Sequence, residues 1–358
     1  MVLKMNLCAK FRKSARVTAL LLAAAALVSL FSCSSPYIRE STDEELETIL
    51  YIGDYEVPFE QFYYFFMNYK NIADEGDDSY WESDGVDTEA LFEKYKEQTI
   101  SALLRAYATF SLCLKYDIDP DGSKVTKLVN ETVNEYINET FGGAKSYAEG
   151  LESAFMTDSV FRFYIKKTEC DTLLNEALIE AGVIKTDDNS IYSAIMDPDE
   201  FCHAKQILIQ NDEGDDIEEN YQLALEALTS AQLGADFDTL IAEYGEDLDM
   251  IANPKGYYFT HNELLEEFEE AAFALEIGEL SGIVESDIGY HIILRLEMDR
   301  DYVTEYYDTL SEAYLIWKYQ EAVEAEMANL TVTETELLKS LTMEDFYYSN
   351  EASETSGN

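Results

Sequence analysis

The stretch Gly278 to Leu296, GELSGIVESDIGYHIILRL, holds a side chain placed for chemistry. A Gly-Glu-Leu-Ser turn opens into a short β-rich run, a second turn holds Gly289, and a strand follows in which Tyr290 and His291 precede apolar Ile292, Ile293, Leu294 and Leu296. One imidazole therefore stands at the mouth of an otherwise apolar strand. Such a group serves either as a catalytic histidine or as a core histidine satisfied by hydrogen bonds.

A second reactive position lies near the N-terminus. Met1 to Arg16 carries Lys4, Lys10, Arg12, Lys13 and Arg16 with no acid, and Val17 to Leu30 is apolar, too short and too one-sidedly flanked for an ordinary transmembrane helix. Residues 1–32 read as a signal peptide. Its end, Leu30-Phe31-Ser32-Cys33, has the pattern of a bacterial lipobox, so Cys33 is expected to become the first mature residue and to carry a lipid on its thiol. Residues 33–48 then form a polar, acidic tether, and the chain sits on a membrane through its lipid. The remaining cysteines, Cys113, Cys170 and Cys202, are odd in number and widely spaced, with no CxxC and no His/Cys cluster. They are expected to be buried thiols, and neither metal nor cofactor is expected.

The net charge is −49. Loss of the five basic residues in the leader takes it to about −54. A field of that sign excludes nucleic acid as a partner and repels anionic headgroups, leaving the acyl chains as the anchor. The acidity serves the solubility of an exported protein or, alternatively, the attraction of basic polypeptides.

The elements that must position His291 follow from periodicity. Ile49 to Ile52 and Tyr55 to Val57 flank Gly53-Asp54 as a hairpin, and Pro58 starts a helix with an aromatic stripe of Phe59, Phe62, Phe65, Phe66 and Tyr69. From Thr88 to about Gly182 apolar residues recur at helical steps, broken at Asp119-Pro120-Asp121-Gly122 and Gly142-Gly143. Ser153 to Cys170 is either bundle core or an apolar cradle for extended polypeptide. The pattern turns to mixed strands and helices after Met196-Asp197-Pro198-Asp199, with a strand at Cys202 to Ile209, a loop from Asn211 to Asn220 carrying six acids, and a helix from Leu264 to Leu275. Val303 to Leu330 is one more helix, which cannot bury itself and is expected to pack on the N-terminal helices. The acidic tail from Glu344 is expected to be disordered. The predicted domains are 49–196 (helical), 199–298 (mixed), a C-terminal helix within 301–343 and a tail at 344–358.

The segment Cys202 to Glu297 resembles the parvulin (PpiC-type) peptidyl-prolyl isomerase domain, and the whole layout resembles the PrsA-type foldase lipoproteins. The resemblance rests on Gln206-Ile207-Leu208-Ile209, Gly234-Ala235-Asp236-Phe237, Tyr244-Gly245-Glu246-Asp247, Gly256-Tyr257-Tyr258-Phe259, Phe268 to Leu275, Gly278-Glu279-Leu280-Ser281 and Gly289-Tyr290-His291-Ile292-Ile293, all in order. It implies an α+β fold: a helical chaperone domain built from both ends of the chain, with an inserted domain of a small antiparallel sheet surrounded by helices.

Carried over by residue, the resemblance makes His291 the second of two family histidines, Asp247 the position that is Cys or Asp, and Ser286 the hydroxyl of the last turn. Leu264 and Phe268 become the floor for the proline ring, supported by Phe259. The first family histidine is replaced by Gln206. His203 lies at an odd offset from Gln206, on the other face of the strand, and is no substitute. Glutamine both donates and accepts, so Gln206 can keep a hydrogen-bond network intact without ionising. The bland role for Asp247 is loop capping. Where phosphate-directed parvulins present Arg and Lys, this chain presents the acidic loop, so clients are expected to be unphosphorylated and neutral or basic.

The expected function is that of an extracytoplasmic isomerase and folding chaperone on the bacterial cell membrane, acting on newly exported polypeptides and their X-Pro segments, with activity weakened by Gln206. The alternative is a holdase that only grips unfolded chains. A solute-binding lipoprotein shares the signal and the acidity, but it would need many alternating βα units, and residues 88–182 read as helices without intervening strands.

Overall fold

The computed structural model describes residues 40–348 except 213 and 215. The signal peptide and Cys33 lie outside the described residues. The chain divides into two compact units: the described residues up to Ala181 together with those from Glu321, and Gly182–Gln320. Each combines helices with a small antiparallel sheet, an α+β architecture.

In the first unit, β1 (Thr48–Ile52) and β2 (Tyr55–Pro58) form a hairpin whose turn uses Gly53 at φ 56°. The strand Val332–Glu334 pairs with the other edge of β1. Helices α1 (Phe59–Asp74), α2 (Thr88–Lys115), α3 (Ser123–Glu135), α4 (Ala144–Ser153) and α5 (Asp158–Glu180) follow. Pro58 precedes the first turn of α1, where its missing N–H is harmless, and side chains of Asp87 and Thr157 cap α2 and α5. From the C-terminal segment, Glu326 accepts from Ser111 Oγ at 2.5 Å and pairs with Lys115 on α2.

Two expectations at the ends need correction. The tether was expected to run to residue 48, but Glu47 O accepts from Phe59 N at 2.8 Å and Glu45 O from Glu60 N at 2.9 Å, so its last residues fold against the start of α1. The tail was expected to be disordered from Glu344, but Met343–Phe346 is a 3-10 turn with Phe346 buried, because three consecutive aromatic residues outweigh the two acids before them. Residues 349–358 lie outside the described residues.

In the second unit, α6 (Asp188–Ile195) leads to β3 (Cys202–Gln210), then α7 (Ile217–Gln232), α8 (Phe237–Tyr244), α9 (Leu248–Ala252), β4 (Tyr257–Phe259), α10 (Glu266–Ala274), β5 (Val284–Ser286), β6 (Gly289–Leu296) and α11 (Arg300–Glu305). The unit boundary falls inside α12 (Tyr307–Met327). The sheet order is β4-β3-β6-β5, antiparallel throughout. Strand alternation gives it two apolar faces. Ile207 and Ile292 pack with Ala227, Leu240, Ile241 and Met250 on one, while Cys202, Ala204 and Ile293 pack with Phe259, Phe268 and Ala272 on the other. Cys113, Cys170 and Cys202 are buried free thiols.

Candidate active site

Register builds the site. His291 on β6 lies opposite Leu208 on β3, and Gln206 lies opposite Ile293, so Gln206 and His291 are diagonal neighbours on one face of the sheet. On the other side His291 lies opposite Val284 and Ser286 opposite Gly289, which makes Ser286 its diagonal neighbour across β5. Gly289 closes that turn at φ 142°, and a Cβ there would meet Ile209 O at 2.1 Å. A slip of one residue would turn His291 to the opposite face, so the glycine that fixes this turn also fixes the imidazole.

The side chains join in one line. Ser286 Oγ lies 2.7 Å from His291 Nε2, and His291 Nδ1 lies 2.7 Å from Gln206 Oε1. Gln206 Nε2 donates to Asp247 Oδ2 at 2.6 Å, and the Tyr257 hydroxyl donates to the same oxygen at 2.8 Å. Polarity follows from the ends. A carboxylate only accepts, so the amide N–H of Gln206 faces it and the amide oxygen faces the ring. The ring must then carry a proton on Nδ1, and in its neutral form it accepts from Ser286 on Nε2. His291 is buried, and burial lowers its pKa below 6.5, against the opposing fields of Glu267 and Asp247. The imidazole is neutral and both its nitrogens are engaged.

Asp247 reaches this line from an open sheet edge. β4 pairs only with Cys202 to Ala204, and beyond it Glu246 N donates to Leu208 O at 2.9 Å. Asp247 Oδ1 meanwhile caps α9, accepting from Asp249 N at 3.0 Å and Met250 N at 3.1 Å. Loop capping and the network thus use different oxygens of one carboxylate.

Apolar rings wall the imidazole. Phe268 lies 5.9 Å from the His291 ring, 5.7 Å from Phe259 and 6.4 Å from Tyr257, centroid to centroid. Leu264 stands apart from this buried cluster, 37 % exposed on the loop before α10. The expected helix start at Leu264 is thereby corrected to Glu266. Both oxygens of the buried Glu269 carboxylate compete for the backbone there, accepting from Asn262 N at 2.8 Å, Glu263 N at 2.7 Å and Leu264 N at 2.6 Å, while Asn262 adopts φ 63°.

His203 is buried on the opposite face, its ring nitrogens 2.7 Å from Glu297 O and Lys255 O and its ring stacked on Tyr258 at 3.9 Å. Two residues of the site went unmarked in the sequence. Tyr257 is two before Phe259 on β4, so alternation places both on one face; Glu269 carries no signal, since its role depends on a loop conformation.

Residues 206–297 match the family model for rotamases, the PPIC-type PPIASE domain. The chain is 39 % identical over 95 residues to the foldase protein PrsA of Halalkalibacterium halodurans, covering 26 % of this chain and 28 % of that one. It is 43 % identical over 61 residues to the peptidyl-prolyl cis-trans isomerase Pin1 of Malus domestica, covering 17 % and 50 %. The match thus spans less than a third of the length of the Halalkalibacterium foldase. The crystal structure of the peptidylprolyl isomerase PrsA from Bacillus anthracis matches at 23 % identity and a TM-score of 0.34, over 64 % of this chain and 96 % of that one. From Gln206 to Glu297 the chain is a PPIC-type peptidyl-prolyl isomerase domain, similar over that stretch to the PrsA foldases.

Proposed function

We propose that this protein is an extracytoplasmic foldase, held on the membrane by lipid at Cys33, that isomerises X-Pro bonds in exported polypeptides through Gly182–Gln320 and chaperones them through its helical unit. The observation that carries the reading is the unbroken line Ser286–His291–Gln206–Asp247 beneath the wall of Phe268 and Phe259.

Rotation about an X-Pro bond faces a barrier of about 20 kcal/mol from amide resonance and takes roughly tens of seconds uncatalysed. No covalent intermediate is needed. A surface that holds the proline ring on apolar rings and strips water from the carbonyl favours the twisted amide, whose resonance is already lost, over the planar one. Phe268, with Phe259 behind it and Leu264 at the rim, supplies that surface. Below it His291 presents a neutral, fully bonded ring. No ionised imidazole lies beneath the peptide, and no side chain has to pass a proton for rotation to occur.

The clients are unphosphorylated and neutral or basic, given the acids of the loop after β3 and the net charge of −49. Gln206 also supports a second reading, a holdase whose site grips X-Pro segments without turning them over. A protease-coupled X-Pro assay on the chain from Ser34 separates the two. A catalysed rate lost in Phe268→Ala and reduced in Asp247→Ala is expected; a rate equal to background and indifferent to both changes leaves only the holdase.

A further inference from the structure

The last described residues of the chain lie in a groove of the first unit. Phe346 is 1 % exposed, with its ring 4.0 Å from Phe66, 5.9 Å from Tyr63 and 6.2 Å from Phe62. Beside it Tyr348 lies with its ring 3.7 Å from Lys70 Nζ, and its hydroxyl donates to Asp74 Oδ1 at 3.0 Å with Asn71 Oδ1 as a second acceptor at 3.2 Å. Lys70 is wholly buried, bonded to Asp74 at 2.6 Å and Asp78 at 2.9 Å.

The backbone bonds at Asp345 and Tyr347 run back within this segment, from Asp345 N to Thr342 O and from Tyr347 N to Glu344 O. Its anchors on α1 are side chains: one ring in an aromatic socket and one phenol against a buried ion pair. A site that grips by rings and not by a backbone ladder reads residue type with little demand on register. That is what recognition of many unrelated chains requires.

We propose that the groove on α1 formed by Phe62, Tyr63, Phe66 and Lys70 is a binding site for aromatic-rich segments of unfolded polypeptide, and that residues 343–348 of the same chain occupy it as an internal stand-in. The site extends the chaperone half of the reading above, and it stands on residues outside the isomerase domain. The socket takes a Phe or Met side chain, and the ion pair takes a Tyr two residues further on. The tethered segment lowers the groove's apparent affinity for a client by the fraction of time it is occupied, so weakening the tethered segment raises that affinity.

The test uses the full chain from Ser34, its F346A variant, and a chain ending at Thr342. The probe is a fluorescein-labelled peptide of residues 342–348, TMEDFYY. Both altered chains are expected to bind it at least about tenfold more tightly than the unaltered chain, and its Phe→Ala version weakly. Excess peptide is expected to displace a basic unfolded client, reduced and carbamidomethylated ribonuclease A, from them. X-Pro isomerisation is measured on the same samples and is expected to be unchanged, which keeps failure here distinct from failure of the isomerase reading. Equal binding by all three chains, or binding indifferent to the peptide's Phe, overturns the proposal. If the shortened chain loses its helical circular dichroism, F346A decides alone: binding no tighter than the unaltered chain makes the segment ordinary core.

Discussion

Gln206 Oε1 lies 2.7 Å from His291 Nδ1, and this contact fixes the protonation of the whole site. An amide oxygen cannot donate, so the imidazole holds a proton on Nδ1, and burial, which lowers its pKa below 6.5, favours the neutral ring with Nε2 bare. Gln206→Ala should strand that N–H in a buried setting, at a cost of about 1–3 kcal/mol in stability. X-Pro turnover should fall by roughly tenfold or more, because about 1.4 kcal/mol of misplaced transition-state stabilisation is a factor of ten. Denaturant melts and the protease-coupled assay check both. Gln206→His should raise turnover above the unaltered chain, and no gain would show that the amide is not limiting.

The polarity of the line can be reversed from its far end. In Asp247→Asn the new amide can donate to Gln206 Oε1, the glutamine can turn over and donate to His291 Nδ1, and the imidazole proton moves to Nε2. The α9 cap on Oδ1 survives. Asp247→Asn should therefore stay near the unaltered stability, whereas Asp247→Ala loses about 0.5–2 kcal/mol from the cap alone. Nitrogen-15 shifts of the His291 ring should show the tautomer exchange, and an unchanged tautomer in Asp247→Asn would sink this account of the network.

What the sequence made legible was whatever depends on neighbours along the chain. The hairpin around Gly53, the strand bearing His291 and the two-sided character of Gln206 follow from alternation and from functional groups. Longer-range features were hidden. Val332–Glu334 is three residues without a pattern of its own and becomes a strand only because β1 offers an edge. Tyr257 joins the site because Asp247 is brought beside it by the unpaired end of β3. Phe346 looked like part of an acidic tail because its socket lies on α1, far away in sequence.

Acid should weaken the second unit through His291. Burial depresses its pKa below 6.5, so between the two values the unfolded chain holds a proton that the folded one does not. The stability of the neutral buried form is intact above the unfolded value and is lost as pH falls through the window towards the folded one. Many carboxylates titrate lower still, so the comparison must be internal. From pH 7.5 to 5.5 the unaltered chain should lose more thermal stability than His291→Asn, and equal losses would remove His291 as the cause.

Glu269 is expected to act on the substrate through Leu264. Its carboxylate holds three successive backbone N–H groups, at Asn262, Glu263 and Leu264, and thereby fixes the loop that carries Leu264. Glu269→Ala frees that loop without touching the line from Ser286 to Asp247. Binding should suffer in the ground and transition states alike, raising KM several-fold with kcat nearly unchanged. Glu269→Gln keeps one accepting oxygen and should recover part of the loss, while its amide nitrogen cannot accept from a backbone N–H. A fall in kcat with KM unchanged would place Glu269 in the chemistry beneath the peptide instead of at its rim. Loss of the whole effect in a Leu264→Ala background would tie the carboxylate to that one side chain, because two changes acting through the same contact do not add.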